Sequence, residues 1–439
     1  MGLNLSKNQQ VELSDSTTLT VTGKLGEGGQ GIVYRVQLDD TGEERALKWY
    51  FIGKLREPRN FYNHLQELID TGAPSNKFIW PEKLTVYEDD EPFGYIMKIF
   101  PKEYRGFSSY LNSRVTFSSA QAMVNAGLNI VRAFEALHNK GYNYQDLNDG
   151  NFSIEPQNGG ALICDNDNIM GHGQSSGILG KPRYMAPEVF RGEKSPDKQT
   201  DRYSLAVVLF LLFIGAHPLE GQRTNVAALT NKYEMRFFGT EPIFIYDQFN
   251  NSNAPVEGLH DNAITMWKFF PKFIHNAFQK SFSQDSLLKG EGRLLDRQWL
   301  NLLVRLKSSI ACCPYCGEEL FLESAGETHC HNCGKNVKPA GFLDFGARTG
   351  NNVTVPIFRD VRLYEYHMDS GSEDYETETA VVLEKPGKFG LKNNSSRQWK
   401  ITAPNGKAGF KAPGETAILS AGFEIDFGKG SVAKVVAND

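Results

Sequence analysis

The sequence lacks a run of apolar residues that is long enough to cross a bilayer. Its longest apolar stretch, Leu205–Ala216, has twelve residues, whereas a transmembrane helix needs about 20. The stretch therefore predicts a buried core helix. The sequence also shows no charged leader followed by an apolar stretch and a cleavage site. We therefore expect a chain that is not secreted, has no transmembrane segment and works in the cytoplasm.

An excess of positive charge is missing as well. The chain has 47 Lys and Arg residues against 52 Asp and Glu residues, a formal net charge of −5. This balance provides no general basic surface for nucleic acid or an anionic membrane, and we expect no nucleic-acid partner. Hydrophobic residues make up 40% of the 439 residues, as in ordinary globular proteins. The length allows two or three domains.

Cysteine is scarce, and its positions are unevenly distributed. There are six cysteines, of which four form two Cys-x-x-Cys pairs: Cys313 with Cys316 and Cys330 with Cys333. In a chain without a leader, such pairs indicate metal binding rather than disulfides. Thirteen residues separate the pairs, enough for a hairpin. Four thiolates predict a structural Zn²⁺ site with no open position for catalysis. Cys312 is interpreted as a bystander, and replacement of one cysteine ligand by His329 or His331 stays open.

The hydrophobic periodicity changes twice along the chain. From Thr18 to about Phe100, apolar and polar residues alternate between glycine-rich interruptions, which predicts strands with one intervening helix. The next region has the helical period. The predicted helices are Arg59–Ile69, Ala122–His138, Asp201–Ile214 and Arg297–Leu306. From Val353 to Val436, short alternating runs separated by Gly and Asn turns predict a small β-sandwich.

A glycine-rich motif lies in the strand-rich region. It runs from Gly26 to Val33 with the form G-x-G-x-x-G-x-V, and its glycines let backbone N–H groups approach phosphate oxygens. The three spaced glycines are Gly26, Gly28 and Gly31. A Rossmann loop has nearly the same spacing but opens a helix, whereas Ile32–Val36 continues as a strand. The motif therefore predicts a flap between two strands that closes over a nucleotide.

A lysine follows this loop on another predicted strand. Lys48 ends the segment Ala46-Leu47-Lys48, and a lysine there can neutralise the α- and β-phosphates of ATP. For an isolated lysine, a solvated strand side chain is the better interpretation. The glycine-rich loop that precedes Lys48 favours ATP binding instead.

Three further side chains offer the oxygen atoms that phosphoryl transfer requires. Asp146 and Asn151 have the spacing D-x-x-x-x-N, which provides a carboxylate to orient a hydroxyl and an amide oxygen for Mg²⁺. Asp165 follows fourteen residues after Asn151 at the end of a short buried run. A carboxylate in that place can hold the Mg²⁺ that bridges the phosphates. The alternative is simple turn chemistry, since Asn, Asp and Gly crowd both segments.

With these motifs in this order, the chain resembles the eukaryotic-type serine/threonine protein kinase family over roughly residues 15–308. Gly180–Glu188 resembles the substrate-docking loop with its Ala-Pro-Glu motif, and Asp201–Ala206 resembles the start of the central helix. Ala216–Leu219 resembles the segment that follows the central helix in this family. The resemblance implies an α+β, bilobal kinase fold and the cofactors ATP and Mg²⁺ (or Mn²⁺).

The resemblance also implies roles for individual residues. Asp146 is the expected catalytic base, and Asp201 is expected to brace the catalytic loop. Glu188 is expected to pair with Arg293. The expected metal ligands are Asn151 and Asp165. The expected ATP-binding residues are Gly26, Gly28, Gly31, Val33, Ala46, Lys48, the gatekeeper Met97, and Lys98 and Ile99 of the hinge.

The chain departs from the family pattern at several positions. Tyr144-Gln145 stands where the family has His-Arg, and without that arginine a phosphorylated activation loop loses its usual anchor. Asn166 and Asp167 replace the Phe-Gly that follows the metal aspartate. Asn148 replaces the usual lysine two residues after the base, and Lys181 replaces a threonine. We hypothesise a swap in which Lys181 reaches Asp146 and the transferring phosphate; the alternative is a solvated loop lysine.

The glutamate expected to pair with Lys48 has two interpretations. Glu67 lies nineteen residues beyond Lys48, a plausible family distance. However, the inward face of its helix is defined by Phe61, Leu65, Leu68 and Ile69. At 100° per residue, Glu67 points well away from that face. A role beside Lys48 and a solvated surface position are about equally favoured.

We expect three modules. The kinase domain covers residues 1–308, with an N-lobe at about 15–100 and a C-lobe at 101–308. A zinc ribbon is expected at 309–340 and a β-rich domain at 341–439. The β-rich domain weakly resembles the latter half of a forkhead-associated domain, but its phosphate-binding Ser-x-x-His is missing, since Ser396–Trp399 has no histidine. A structural or partner-docking role is therefore favoured over phosphopeptide binding.

The combination with a zinc ribbon resembles a bacterial kinase branch of tellurium-resistance-type gene clusters. In that branch the kinase is commonly encoded beside a von Willebrand A-domain protein and a metal-dependent phosphatase, which are the implied partners besides a protein substrate. Two other functions are alternatives: a pseudokinase scaffold that only holds nucleotide, and a small-molecule phosphotransferase. The full set of catalytic residues disfavours the first, and the docking loop disfavours the second.

Overall fold

A computed structural model describes residues 4–171, 180–348 and 351–438. Its N-terminal lobe is an antiparallel sheet in the order β1-β2-β3-β4-β6-β5 with one long helix against it. The strands are β1 (Gln10–Glu12), β2 (Thr18–Glu27), β3 (Gly31–Leu38), β4 (Glu44–Tyr50), β5 (Lys83–Leu84) and β6 (Gly94–Met97). The helix is α1 (Pro58–Thr71), which buries Leu65 and Leu68 and starts at a proline, a residue whose fixed φ suits the first helical turn.

The C-terminal lobe is mostly helical. Its helices are α2 (Phe107–Leu111), α3 (Ala120–Asn139), α4 (Pro187–Phe190), α5 (Lys198–Ile214), α6 (Asn231–Glu234), α7 (Asp261–Phe269), α8 (Lys272–Ser281), α9 (Gln284–Lys289) and α10 (Asp296–Lys307). Its short strands are β7 (Arg105–Gly106), β8 (Tyr142–Asn143), β9 (Phe152–Glu155), β10 (Gly160–Ile163) and β11 (Met170–Gly171). The four helices predicted from periodicity correspond to α1, α3, α5 and α10.

Helix α5 forms the centre of this lobe. It is buried over most of its length, because its apolar residues surround the helix rather than forming one stripe. It begins earlier than the apolar run predicts, since the Asp197 side chain accepts the N–H groups of Gln199 and Thr200. It ends at Gly215, whose φ of 70° provides the left-handed C-cap.

Two small hairpins follow α10 and carry the paired cysteines. The first contains β12 (Ile310–Cys312) and β13 (Glu319–Phe321), and the second contains β14 (Thr328–His329) and β15 (Asn336–Val337). Each pair of strands is antiparallel.

The C-terminal region is a two-sheet β structure. Its strands are β16 (Gly341–Arg348), β17 (Asn351–Pro356), β18 (Arg362–Tyr364), β19 (Glu378–Lys385), β20 (Lys388–Asn393), β21 (Trp399–Thr402), β22 (Ala408–Lys411), β23 (Thr416–Ile418), β24 (Glu424–Gly428) and β25 (Ser431–Ala437). The sheet orders are β17-β16-β25-β24-β21-β22 and β18-β19-β20-β23. A single helical turn, α11 (Glu365–Met368), was not predicted. The predicted β-rich region is otherwise confirmed.

The cysteine hairpins and the β region pack directly on the kinase lobe. The Phe321 ring of β13 stacks on Phe270 after α7, with 5.1 Å between ring centroids. Lys307, at the end of α10, donates to the Tyr375 carbonyl at 3.1 Å and lies 4.1 Å from the centre of the Tyr364 ring. The hydrophobic core of the C-lobe therefore continues into the C-terminal region. Among the described residues, none of the helices combines the length and apolarity that a bilayer crossing requires.

Candidate active site

The glycine-rich loop joins β2 to β3, as the flap interpretation predicts. Strand pairing continues to Glu27 opposite Ile32, and the Gly28 N–H donates to the Gly31 carbonyl at 2.9 Å. A Cβ added to Gly26 or Gly28 would meet nothing within 4 Å, so these glycines face open space. Gly31 differs, because a Cβ there would lie 2.2 Å from the Trp49 carbonyl oxygen. Gly31 therefore permits the close pairing of β3 with β4.

Lys48 extends from β4 into the cleft below this loop. It pairs in register with Val33 on one side, and Ala46 of the same strand pairs with Met97 of β6. The sheet thus brings together four residues that were predicted to bind ATP. Met97 is buried at the end of β6, and the following Lys98 is exposed while Ile99 is half-buried.

The Lys48 side chain makes two ion pairs across the cleft. Its Nζ lies 2.9 Å from Asp165 Oδ1 and 2.6 Å from Asp167 Oδ2. Burial by itself lowers the pKa of Lys48, but the Asp167 and Asp165 carboxylates outweigh it and hold the pKa well above its usual value. Lys48 is therefore charged and held between the lobes.

Glu67 is not among the ion-pair partners of Lys48 in this structure, which are Asp165 and Asp167. Its side chain is exposed on α1, as the angular argument from Leu65 and Leu68 indicated. One turn earlier, His64 is half-buried against the backbone of Asp167 and Ile169, and burial lowers its pKa. Helix α1 therefore presents a neutral imidazole rather than a carboxylate to this part of the site.

Asp146 lies in a loop that is stabilised by hydrogen bonds of Asn148 to residues of the same loop. The Asn148 amide donates to Asp146 Oδ1 at 3.2 Å, and the Asn148 N–H donates to Asn151 Oδ1 at 3.1 Å. Burial raises the pKa of Asp146 to about 6, although the hydrogen bond from Asn148 opposes this effect. Asp146 is thus mostly ionised at neutral pH but far more basic than an ordinary aspartate.

Asp201 of α5 holds the backbone of the catalytic loop, as the resemblance implied. Its carboxylate accepts the N–H groups of Tyr144 at 2.6 Å and of Gln145 at 3.4 Å. His138 of α3 bridges Asp201 at 3.3 Å and Asp296 of α10 at 2.7 Å. Burial alone lowers the pKa of His138, but its hydrogen bonds to the two carboxylates raise the value to about 9. The central helix, α3 and α10 therefore meet at one buried cation.

The departures from the family pattern have structural explanations. The hydroxyl group of Tyr144, which replaces histidine, donates to the Cys164 carbonyl and so joins the catalytic loop to the segment before Asp165. Asn166, which replaces phenylalanine, is fully buried and donates to the carbonyls of Ile79 at 2.7 Å and Ile163 at 3.2 Å. A hydrogen-bonded anchor thus takes the place of an apolar ring.

Asp165 and Lys181 both belong to the activation segment, the stretch from Asp165 to Glu188 of the Ala-Pro-Glu motif. Asp165 adopts a left-handed φ of 56°, and its side chain is 52% exposed beside Lys48. Lys181 Nζ lies 3.1 Å from Asp149 Oδ1 rather than on Asp146, and its side chain is 56% exposed. The charge of Lys181 nevertheless lowers the pKa of Asp146. It therefore lies within electrostatic reach of the proposed base.

The Ala-Pro-Glu segment has a buried anchor. Both oxygens of Glu188 accept from Arg293 at 2.8 Å, a two-point ion pair between α4 and the loop before α10. The pair predicted from the resemblance is therefore present. The Glu188–Arg293 pair anchors the end of the docking loop to the loop before α10.

The two Cys-x-x-Cys turns bring four sulfur atoms together. The Sγ atoms of Cys313, Cys316, Cys330 and Cys333 all lie within 4.8 Å of one another, and two of these separations are 3.7 Å. The turns are matched, because Gly317 and Gly334 have φ of 79° and 71° and donate to the first cysteine carbonyl of their own pair. Cys312, His329 and His331 are outside this cluster.

Sequence comparison identifies the family. A sequence model of the protein kinase domain matches residues 19–279, more than half of the 439 residues. The chain belongs to the protein kinase family. Its order of glycine loop, Lys48, Asp146, Asn151 and Asp165 lies within the matched residues.

The curated relatives are protein kinases of distant sequence, and two of the three named here are serine/threonine-protein kinases. The serine/threonine-protein kinase SCH9 of Candida albicans is 27% identical over 216 residues, which are 46% of this chain and 26% of that protein. The kinase AtPK2/AtPK19 of Arabidopsis thaliana is 26% identical over 249 residues, 54% of this chain and 48% of the relative. Protein kinase C delta type of Mus musculus is 33% identical over 112 residues, 25% of this chain and 15% of the relative. The chain spans less than half of the length of each of these relatives.

Sequence reasoning missed three members of the site. Asp167 and Tyr50 surround the Lys48 ammonium group, and Asp296 pairs with His138. In the sequence, Asp167 stands out only as a replacement for glycine. One signal for Asp167 was available in the sequence. It is an acidic residue just after a buried strand and only two positions beyond Asp165, the expected metal ligand.

Proposed function

We propose that the chain transfers the γ-phosphoryl group of ATP to serine or threonine hydroxyls of a protein substrate. The observation that carries this proposal is the Lys48–Asp165 ion pair of 2.9 Å, which aligns the ATP-side lysine with a carboxylate next to the catalytic loop. Asp146 and Asn151 lie on that loop, in the order that the protein kinase family uses. The names of the relatives support the serine/threonine class.

The proposed reaction uses Asp146 as the proton acceptor. The substrate hydroxyl oxygen forms a bond to the γ-phosphorus, the bond from that phosphorus to the β,γ-bridging oxygen breaks, and ADP leaves. The hydroxyl proton passes to Asp146, whose pKa of about 6 keeps it ionised at neutral pH while making it a better base than an ordinary aspartate. Lys48 and the glycine loop position the phosphates.

The donors at Asn151 and Asp165 fit Mg²⁺. An amide oxygen and a carboxylate are hard oxygen ligands, and Mg²⁺ is usually bound by one or two such groups together with substrate phosphates. When bound, the ion would neutralise charge that develops on the phosphates. Asn151 is buried and held by the Asn148 N–H, and Asp165 is half-exposed toward the cleft. One proposed ligand is therefore held by the loop, and the other is accessible from the cleft.

A protein substrate is favoured over a small molecule by the docking loop. Arg183 and Tyr184 precede Ala186-Pro187-Glu188, and the buried Glu188–Arg293 pair supports this segment. A docking loop that is held in place beside the catalytic base suits an extended peptide. From the resemblance to the bacterial branch, a von Willebrand A-domain protein is the first candidate substrate, and a metal-dependent phosphatase is the candidate opposing enzyme.

We also propose that the cysteine module is a zinc ribbon. A tetrahedral Zn²⁺ with Zn–S bonds of about 2.3 Å has sulfur–sulfur separations of about 3.8 Å. The separations of 3.7 Å for Cys313–Cys333 and Cys316–Cys330 fit this geometry. Module boundaries near residues 308 and 340 are supported by the end of α10 at Lys307 and the start of β16 at Gly341.

The test is phosphoryl transfer with labelled ATP, Mg²⁺ and the purified chain, alone and with candidate proteins. Asp146→Asn is expected to abolish transfer but spare ATP binding, because the base contacts the hydroxyl rather than the nucleotide. Lys48→Ala and Asp165→Ala are expected to abolish transfer as well. Wild-type protein that binds ATP but phosphorylates neither itself nor any protein would instead support the pseudokinase scaffold.

A further inference from the structure

We propose that Asp167, rather than a glutamate of helix α1, is the residue that positions Lys48 for ATP. This inference rests on the proposed kinase function and specifies how its ATP-side lysine is held. In the family pattern Asp167 stands at the glycine of the segment after the metal aspartate, where no side chain is available for such a role. The chain therefore obtains the lysine-pairing carboxylate from the activation segment instead of from α1.

The contacts of Asp167 are those of a buried ion pair. Its side chain is fully buried, and Oδ2 lies 2.6 Å from Lys48 Nζ, closer than the 2.9 Å contact of Asp165. The Tyr50 hydroxyl group donates to the same oxygen. Lys48 and Tyr50 are two residues apart on β4 and so share one face of the strand. Removal of one partner from such a buried, paired group is strongly destabilising, because the other partner is left buried and unpaired.

The backbone around Asp167 gives this carboxylate a fixed position. Asn166–Asn168 forms one 3₁₀ turn that begins at the left-handed Asp165. The Asn166 side chain fastens this turn to the carbonyls of Ile79 and Ile163. The replacement of Phe-Gly by Asn-Asp thus works as a unit, because one residue anchors the turn and the next carries the charge.

Helix α1 offers no competing carboxylate to Lys48. Glu67 is exposed, and the α1 side chain that reaches the turn is His64, which lies against the backbone of Asp167 and Ile169. Lys48 is consequently held without a charge from α1. Helix α1 supports the pair only through contacts that carry no negative charge, with the His64 ring against the turn and the Phe61 ring against Tyr50.

The experiment compares two substitutions that each convert a carboxylate to an amide. Asp167→Asn keeps the shape and removes the charge beside Lys48, and Glu67→Gln is the matched change on α1. We expect Asp167→Asn to lower kcat/KM for ATP by roughly 10²-fold, the range typical of a misplaced charged group at a phosphate site. We expect Glu67→Gln to stay within about twofold, as for an exposed side chain away from the site. Both the kinetics and the ATP dissociation constant of the full chain are measured.

A double-mutant cycle separates positioning from mere folding. If Asp167 acts through Lys48, then Asp167→Asn adds no further loss to Lys48→Met, whereas a purely structural role predicts that the two losses add. Asp167→Glu is the conservative rescue and is expected to recover part of the loss. Tyr50→Phe, which keeps the carboxylate, provides a milder second cycle with Lys48→Met if Asp167→Asn does not fold.

The outcomes are distinct. Additive losses in either cycle, normal kinetics in Asp167→Asn, or a large loss in Glu67→Gln would overturn the proposal. Absence of phosphoryl transfer in the wild type would contradict the kinase function alone, since the cycle measured on the ATP dissociation constant still tests the positioning of Lys48. Coupled losses with an unaffected Glu67→Gln variant support the proposal.

Discussion

At the scale of single residues, the chemistry of the site depends on how burial and charge act on a few side chains. Asp146 is made more basic by burial, and its neighbours Asn148 and Lys181 oppose that effect by donating a hydrogen bond and by positive charge. The pKa of Lys48 shows the reverse balance, because its carboxylate partners raise this pKa more than burial lowers it. The pKa of the proposed base is thus raised towards neutral pH, while the ATP-side lysine stays charged.

The first prediction concerns the pH dependence of catalysis. An aspartate base with a pKa of about 6 must be ionised to accept a proton, so kcat/KM for the protein substrate should fall tenfold per pH unit below about pH 6. Asn148→Ala removes a hydrogen bond that favours the ionised form, and it should move the fall to higher pH. Initial rates measured from pH 4 to 8 check both. A rate that stays constant to about pH 4, as for an ordinary aspartate, would contradict the role of burial.

The second prediction concerns Lys181. If its charge acts mainly in the transition state, Lys181→Ala should lower kcat by roughly 10²-fold and change the KM for ATP little. Asn148→Lys in that background should restore part of the rate. Steady-state kinetics of the purified variants provide the measurement.

Asp149→Asn is the matched control for Lys181, because it removes the other side of the 3.1 Å ion pair. A lysine that serves the phosphate should still work when it is released, so Asp149→Asn should keep most of kcat. Near-normal kcat in Lys181→Ala, or equal losses in both variants, would show that the pair only shapes the loop.

At the scale of elements, the helices of the C-lobe are joined through His138. This imidazole of α3 lies between a carboxylate at the start of α5 and one at the start of α10. Helix N-termini are the ends that favour negative charge. The cation therefore completes a buried network that also fixes the backbone of the catalytic loop through Asp201.

The third prediction follows from the pKa of His138. Its folded value of about 9 lies above the usual 6.5, so the protonated form is stabilised by folding. This contribution, roughly 3 kcal/mol for such a shift, is fully present below pH 6.5 and is lost as pH rises through about 9. Wild-type protein should thus lose more stability between pH 6 and pH 9.5 than His138→Gln does. Denaturation midpoints at several pH values test this, and parallel curves for the two proteins would refute it.

At the scale of the whole molecule, the kinase lobes and the C-terminal modules form one continuous packed unit. The carboxylate of Glu319, in the first cysteine hairpin, accepts the N–H of Ala120 at the start of α3 at 2.7 Å. Phe321 stacks on Phe270. Burial lowers the pKa of Lys307 to about 8 where α10 meets the β region. These contacts join the cysteine module to the helix that leads into the catalytic loop.

The fourth prediction concerns the metal. Purified, reduced protein should contain one zinc per chain by elemental analysis, and Cys330→Ser should lose it because one of four thiolate ligands is missing. Since the hairpins contact α3 and α7, loss of zinc should also lower the melting temperature of the kinase lobes. Cys312→Ser is the matched control, because this neighbouring cysteine is exposed and outside the cluster. Wild-type protein without zinc, or equal zinc content in both variants, would contradict the site.

Local patterns were sufficient to predict much of this protein from its sequence alone. The glycine loop, the D-x-x-x-x-N spacing, the paired cysteines and the four long helices each occupy a short stretch of chain, so that spacing and periodicity define them. For Glu67 the angle between residues on one helix pointed to exposure and the distance from Lys48 pointed to a role in the site, so the sequence left both interpretations open. The kinase class depends on the order of such motifs, which the sequence states directly.

Only the tertiary structure decided which distant side chains meet. Lys48 and Asp167 are 119 positions apart, and His138 and Asp296 are 158 apart. No periodicity links such residues, and their pairing depends on how the sheet, the turn at Asn166 and the helices pack. The same holds for the pKa values, because burial and partner charges arise only when the chain is folded. The sequence therefore determines the kinds of groups that are available, and long-range packing determines which of them act together.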